Sequence, residues 1–104
     1  MFLLKSTYTI DGVKGLVKDG GTKRVEAVRK LVEAAGGRLE SMYFGFGDHD
    51  TYVLCELADH RTAAGLAIAI RAAGGVDTRV VPVLTGAEVD EAARQQAAYQ
   101  PPGR

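Results

Sequence analysis

The pattern of hydrophobic positions along the chain predicts β-strands in four short segments. The segments are rich in leucine, β-branched and aromatic residues. They cover residues 2–10, 38–46, 51–57 and 76–84. Gly47-Asp48-His49-Asp50 separates the second strand from the third and has the composition of a tight turn. The sequence therefore predicts four strands, of which the middle two form a hairpin.

Between these strands the apolar residues recur at helical spacing, which predicts two helices. The first carries Val25, Val28, Val32 and Ala35, and the second carries Ala63, Leu66, Ile70 and Ala73. We expect Thr22 and Asp59 to cap the helix starts, and the Gly36-Gly37 and Gly74-Gly75 pairs to end the helices. A short final helix is predicted over 87–98, a loop with at most one turn over 11–21, and a disordered tail over 99–104.

The order β-α-β-β-α-β predicts an α+β, ferredoxin-like sandwich followed by one extra helix. In this fold four antiparallel strands lie in the spatial order 4-1-3-2, with two helices on one face. Pro82 in the fourth strand supports this order, because proline cannot donate to a ladder and belongs on an edge strand. The length of 104 residues allows one domain, predicted over residues 1–98.

Both faces of the predicted strands carry apolar side chains, which is unusual for a two-layer sandwich. The two sides of the second strand are Met42, Phe44 and Phe46 against Leu39, Ser41 and Tyr43; those of the third are Val53, Cys55 and Leu57 against Tyr52, Leu54 and Glu56; and those of the fourth are Val81 and Val83 against Val76, Val80, Pro82 and Leu84. An exposed apolar sheet face is unfavourable in a monomer. We therefore expect a homodimer or a higher homo-oligomer that packs sheet to sheet. The alternative is that the final helix folds back and covers this face.

Charge and cysteine content narrow the classes of partner. Thirteen basic and thirteen acidic residues give no net charge, which argues against nucleic-acid binding by bulk charge. The charges are nevertheless segregated: residues 14–38 carry seven cations and three anions, whereas residues 39–60 carry five anions and no cation. One cysteine, no signal sequence and no long apolar segment predict a cytoplasmic protein without membrane contact.

Three stretches of the chain resemble the GYD domain family. They are Tyr8-Thr9-Ile10-Asp11-Gly12-Val13-Lys14, followed by Arg24 and Gly36-Gly37-Arg38-Leu39; Phe46-Gly47-Asp48-His49-Asp50-Thr51-Tyr52-Val53, followed by Glu56 and Ala58-Asp59; and Gly75-Val76-Asp77-Thr78, followed by Gly86-Ala87-Glu88-Val89. The resemblance covers residues 2 to 92 and implies a ferredoxin-like fold related to dimeric α/β barrels. It implies no particular reaction. His49 stands where the family has the tyrosine of its name.

Several residue clusters have a possible chemical role. His49 and Asp50 are candidates for an acid/base pair, but an aspartate in a turn more often caps backbone amides. Glycines before Arg24 could form an anion site at a helix start, although they lack the spacing of a phosphate-binding loop. Cys55 alternates with apolar residues on a central strand, which predicts an inert, buried thiol.

Metal and RNA binding are not predicted. A strand of about 26 Å separates His49 from His60, so one chain cannot bring both to a metal ion. Phe44-Gly45-Phe46-Gly47 is similar to an aromatic RNA-binding motif, but it lies on the second strand, whereas that motif lies on the third. The sequence predicts no cofactor.

Two classes of function stay open. The first is a homo-oligomeric domain that binds a small ligand between sheet and helices, or serves as an assembly or regulatory module. Its predicted ligand-binding residues are Tyr8, Arg24, His49, Asp50 and Tyr52. The second is a small cofactor-free monooxygenase or isomerase acting on an apolar aromatic or lactone substrate. A concave apolar pocket with two convergent polar groups is the feature that both a ligand site and an enzyme require.

Overall fold

The sheet is built from four strands and carries helices on one face. The computed structural model describes all residues, 1–104. The strands are β1 (Phe2–Tyr8), β2 (Arg38–Phe44), β3 (Thr51–Glu56) and β4 (Val76–Pro82). The helices are α1 (Ile10–Asp19), α2 (Gly21–Ala34), α3 (His60–Ala72) and α4 (Gly86–Arg94).

The strands lie in the order β2-β3-β1-β4, and each pair of neighbours is antiparallel. This confirms the predicted α+β class and the predicted strand order, with Pro82 at the end of an edge strand. Asp59 caps α3 by accepting the Thr62 backbone N–H at 2.8 Å, as predicted. Gly36 and Gly74 follow α2 and α3 with φ of 82° and 80°, a left-handed conformation that favours glycine.

The core lies between the sheet and helices α2 and α3. It contains side chains of three strands, of both of these helices and of the residue after β3, namely Phe2, Leu4, Val32, Leu39, Val53, Cys55, Leu57, Ala63 and Leu66. The predicted helix residues Val25, Val28, Ala35 and Ile70 pack against this cluster. A hydrogen bond of 2.8 Å from the Ser6 hydroxyl to the Thr78 hydroxyl satisfies two polar groups on the same buried face.

The prediction of a loop over 11–21 was wrong, because most of this segment forms α1. The Thr9 side chain caps the helix by accepting the Gly12 N–H, while its hydroxyl donates to the Gly74 carbonyl at 2.9 Å. The helix also approaches the α3–β4 turn so closely that a Cβ atom on Gly12 would overlap the Gly75 carbonyl oxygen. Gly12 and Gly15 weaken the helical signal of this segment, because glycine has a low helix propensity. At Gly12 the close packing nevertheless requires glycine.

Two further details differ from the prediction. The helix α2 has Gly20 at its N-cap and no side-chain cap, so Thr22 does not cap it. Leu39 is buried opposite Cys55 on the helix-facing side, whereas strict alternation placed it with Tyr43. A β-bulge between Leu39 and Ser41 causes this change, because one extra residue reverses the side to which the following residues point.

The face of the sheet opposite the helices, here called the open face, carries a row of residues across the four strands that is apolar on three of them. Strand register places Ser41, Leu54, Leu3 and Val81 side by side in this row. The next row contains Tyr43, Tyr52, Lys5 and Arg79. The open face therefore combines an apolar centre with charged and aromatic neighbours.

The final helix does not cover the open face. All nine residues of α4 are exposed, including Val89. A capping box between Thr85 and Glu88 starts this helix, which ends at Arg94, four residues before the predicted end at residue 98. The radius of gyration is 16.7 Å, whereas about 13 Å is typical of a compact domain of this length. The alternative in which the final helix shields the sheet is therefore wrong.

None of the four helices has the length and apolar character needed to cross a membrane.

Candidate functional site

A cavity of about 370 Å³ lies where α1, α2 and α3 meet the end of β1 and the start of β4. Its lining is contributed by all of these elements: Tyr8, Gly12, Gly15, Leu16, Asp19, Arg24, Leu31, Ala69, Ile70, Ala73, Gly75 and Val76. The volume lies at the lower end of the range of about 300–1,000 Å³ that is usual for small-molecule sites. Side chains therefore do not fill the space between the three helices and these strand ends.

A second void of about 30 Å³ lies deeper, against the core. Five residues border both spaces: Tyr8, Arg24, Leu31, Ile70 and Val76. The deeper void is otherwise walled mainly by aliphatic side chains, including Leu4 and Val53. Tyr8 and Arg24 therefore mark the boundary between the wide outer cavity and the apolar core.

Tyr8 presents a buried hydroxyl group that makes no hydrogen bond of good geometry, and no group accepts its proton. Burial raises the pKa of this phenol above its usual value of 10.0, the Arg24 guanidinium opposes the rise through its charge and as a donor towards the phenol oxygen, and the Asp50 carboxylate adds to it. The phenol is thus protonated near neutral pH. An unpaired buried hydroxyl is unfavourable, because it has lost its hydrogen bonds to water without replacing them.

Arg24 is partly buried in the first turns of α2 and takes part in none of the six ion pairs of the protein. The acidic residue that lines the same cavity, Asp19, is half exposed and lies 3.9 Å from the ammonium group of Lys23. The guanidinium therefore faces the cavity without a carboxylate partner. A partly desolvated cation of this kind favours an anion that can accept its hydrogen bonds.

Asp50 lies just before β3 and holds the end of β1 through two hydrogen bonds to its backbone. Its carboxylate accepts the Tyr8 backbone N–H at 2.8 Å, and its own N–H donates to the Ser6 carbonyl at 2.8 Å. These contacts fix the end of β1 against the β2–β3 hairpin and so position the Tyr8 ring. The aspartate caps a backbone amide, as expected for this residue type in a turn.

His49 and Tyr52 lie apart from the cavity. Their rings meet edge to face with centroids 6.1 Å apart, and Tyr52 belongs to the open face. The Nδ1 atom of His49 is buried without a hydrogen-bond partner. Of the five residues predicted to bind a ligand, Tyr8 and Arg24 thus line the cavity, Asp50 contacts the backbone of Tyr8 outside the lining, and His49 and Tyr52 lie at the hairpin.

Cys55 and His60, two other residues considered for a chemical role, lie outside the cavity. Cys55 is fully buried on β3, and desolvation raises the pKa of its thiol above 9.0. The His60 ring packs edge to face against Phe2, whereas His49 lies near the opposite end of the strands. Neither His60 nor Cys55 contributes to the lining of the cavity.

The cavity has mainly apolar walls, and its charged or polar side chains are the Tyr8 phenol and the Arg24 guanidinium, which donate hydrogen bonds, and the Asp19 carboxylate. Neither histidine nor cysteine is part of the lining. Sequence reasoning identified Tyr8 and Arg24 but missed the α1 wall, because it treated that segment as a loop.

The fold and the cavity define a small α+β domain with a four-stranded antiparallel sheet and a ligand-sized space under its helices. The sequence model of the GYD domain family matches residues 2–93 of the 104 residues, and the chain belongs to this family. This confirms the resemblance seen in the sequence. No curated protein and no solved structure matches the chain.

Proposed function

We propose that this GYD domain binds a small molecule in the cavity between α1, α2, α3 and the sheet. The observation that carries the proposal is the Tyr8 hydroxyl, which is buried beside the cavity and lacks a partner. A ligand that accepts a hydrogen bond from this group would remove an unfavourable feature of the free protein. Binding, rather than catalysis, is the function that this set of groups supports best.

The size of a probe that fits the cavity sets the scale of the expected affinity. A bicyclic aromatic probe of about a dozen non-hydrogen atoms, bound at about −0.3 kcal/mol per atom, would have a Kd of about 2 mM or tighter. A naphthyl compound such as 2-naphthylmethanol is a suitable neutral probe. Because the chain has no tryptophan, naphthyl fluorescence can be followed with little interference from the protein.

Gly15 offers a direct way to block the cavity. A Cβ atom there meets no atom within 4 Å, so the side chain of Gly15→Leu would extend into the open space. We expect this variant to fold and to bind 2-naphthylmethanol at least tenfold more weakly. Gly47→Leu, in the exposed hairpin turn, is the matched control and should bind like the wild type. Equal binding by all three proteins would refute the cavity as the site.

The domain also works as a homodimer or a higher homo-oligomer in this proposal, with the open face against a second copy. The support is the apolar row through Leu54, Leu3 and Val81, and the presence of both charge signs beside it. Lys5 and Arg79 lie on the same face as Asp77. A surface with both signs can be complementary to itself across a twofold axis, and such packing gives a dimeric α/β barrel.

Light scattering at micromolar concentration tests this assembly. The wild type should have at least twice the chain mass of 11.0 kDa. Leu54→Lys, which places a charge in the centre of the open face, should be monomeric. Val17→Lys, on the exposed outer side of α1, should keep the oligomeric state. A monomeric wild type would refute the sheet-to-sheet assembly without affecting the cavity proposal.

A further inference from the structure

We infer that the ligand of the cavity is a small amphipathic anion, with one carboxylate-type head group on an apolar body. This inference rests on the proposed binding function and adds the chemical class of the ligand. The head group would lie at the boundary of the two spaces, where Tyr8 and Arg24 meet. The body would occupy the outer cavity.

The polar end of the site favours an anion because both of its groups donate. The Arg24 guanidinium has no ion-pair partner, and burial keeps the Tyr8 phenol protonated. A carboxylate can accept from both at once, and hydrogen bonds between charged partners are about twice as strong as those between neutral groups. A cationic head group would instead meet Arg24 with like charge, and a purely apolar ligand would leave both donors unpaired.

The remaining acidic groups do not cancel this preference. Asp19, the carboxylate in the lining, has a side chain that is 50% exposed and a cationic neighbour in Lys23. Asp50 is not part of the lining, and its carboxylate already accepts the Tyr8 backbone N–H. Arg24 is therefore the cation nearest to the buried donor, and it has no carboxylate of its own.

The other end of the site selects an apolar body. Leu16, Leu31 and Ile70 line the outer cavity, and two of the four lining residues of α1 are glycines, Gly12 and Gly15. The missing side chains at these two positions leave room between α1 and the other helices. A compact body with one head group matches the arrangement, whereas a phosphate or sulfate ion alone would leave the apolar walls uncovered.

The test compares two probes of the same shape, 2-naphthoate and neutral 2-naphthylmethanol, by fluorescence titration. We expect the wild type to bind the carboxylate at least tenfold more tightly than the alcohol. Arg24→Gln should lose this preference while its affinity for the alcohol stays within twofold of wild type. Lys30→Gln removes the same charge from an exposed position of the same helix that does not line the cavity, and should retain the preference.

A second variant separates the phenol from the guanidinium. Tyr8→Phe removes a hydroxyl that has no partner in the free protein, so the thermal stability should stay equal or rise slightly. Its affinity for 2-naphthoate should nevertheless fall several-fold. Because a merely structural role would lower stability and affinity together, this combination identifies the hydroxyl as a ligand donor.

Each contrary outcome has a distinct meaning. If the wild type binds both probes equally, the anionic class is wrong while binding in the cavity stands. If Arg24→Gln keeps the preference for the carboxylate, the guanidinium is not the anion site, and the inference is overturned. If the wild type binds neither probe at millimolar concentration, both the inference and the proposed function fail.

Discussion

The same substitution at two glycines of α1 should change the stability of the domain in opposite directions. Gly12 and Gly15 lie one turn apart in this helix, and each lowers its helix propensity by about 1 kcal/mol relative to alanine. A Cβ atom at Gly15 would point into open space. A Cβ atom at Gly12 would overlap the Gly75 carbonyl, which is backbone and cannot rotate away. The two positions therefore share the propensity effect and differ in packing.

The magnitudes follow from these contacts. Gly15→Ala should raise the free energy of unfolding by about 0.5–1 kcal/mol, since it gains helix propensity without a clash. At Gly12 the same gain is opposed by an overpacking cost of about 1–3 kcal/mol. The displaced helix would also weaken the hydrogen bond from the Thr9 N–H to the Gly75 carbonyl, which is 3.0 Å long. Gly12→Ala should thus be destabilised by about 1–2 kcal/mol.

Urea unfolding followed by circular dichroism measures the free energy of unfolding of both variants, with the midpoint and the slope of the transition determined separately. For a domain of this size, 1 kcal/mol corresponds to about 4–8 °C in Tm, so thermal unfolding should rank the proteins in the same order. The order expected is Gly15→Ala, wild type, Gly12→Ala. Equal stability of the two variants would refute the close approach of α1 to the α3–β4 turn, and with it the α1 wall of the cavity.

Two further predictions concern the core. Because burial raises the pKa of the Cys55 thiol, its neutral form is favoured in the folded state. The thiol therefore contributes stability below about pH 9, and this contribution is lost as the pH rises through the folded-state pKa. In the wild type the urea midpoint should fall as the pH is raised, and in Cys55→Ala it should fall less steeply. An equally steep fall in both proteins would contradict this. Ser6→Ala leaves the Thr78 hydroxyl unpaired and should lower the free energy of unfolding by about 1–3 kcal/mol. The double variant Ser6→Ala, Thr78→Val should lose less free energy of unfolding than the sum of the two single variants. Strict additivity in a thermodynamic cycle would argue against that hydrogen bond.

Much of the fold could be predicted because local signals and packing agree in it. The stripe of Val25, Val28 and Val32 both predicts α2 and forms its core face. Gly36 has the positive φ expected of a helix end, and Pro82 lies on an edge strand. At these positions the residue type, the backbone geometry and the burial all favour the same structure.

The failures lie where packing overrides a local signal. Gly12 lowers helix propensity, yet the contact with Gly75 permits no other residue, so α1 exists in spite of its composition. The bulge after Leu39 reverses the side of the strand, and alternation alone does not reveal an extra residue. Both errors came from long-range contacts that a single sequence does not display.

The candidate site was predictable only in part for the same reason. Tyr8 and Arg24 were among the predicted ligand-binding residues, and both line the cavity because the end of β1 and the start of α2 meet there. The cavity beside them depends on α1, which the sequence did not predict. Tyr52 was included because it lies in the hairpin, but alternation with the buried Val53 places it on the open face.

A titration of ¹⁵N-labelled wild-type protein with 2-naphthoate, followed by two-dimensional NMR, tests the central claim most directly. Binding in the cavity predicts saturable shifts at the amides of Gly15, Arg24, Leu31 and Ala69, from all three helices around it. Amides of the open face, such as Leu54, should move little. Shifts confined to the open face, or no saturable shift at millimolar probe, would contradict the assignment of this cavity as the ligand site.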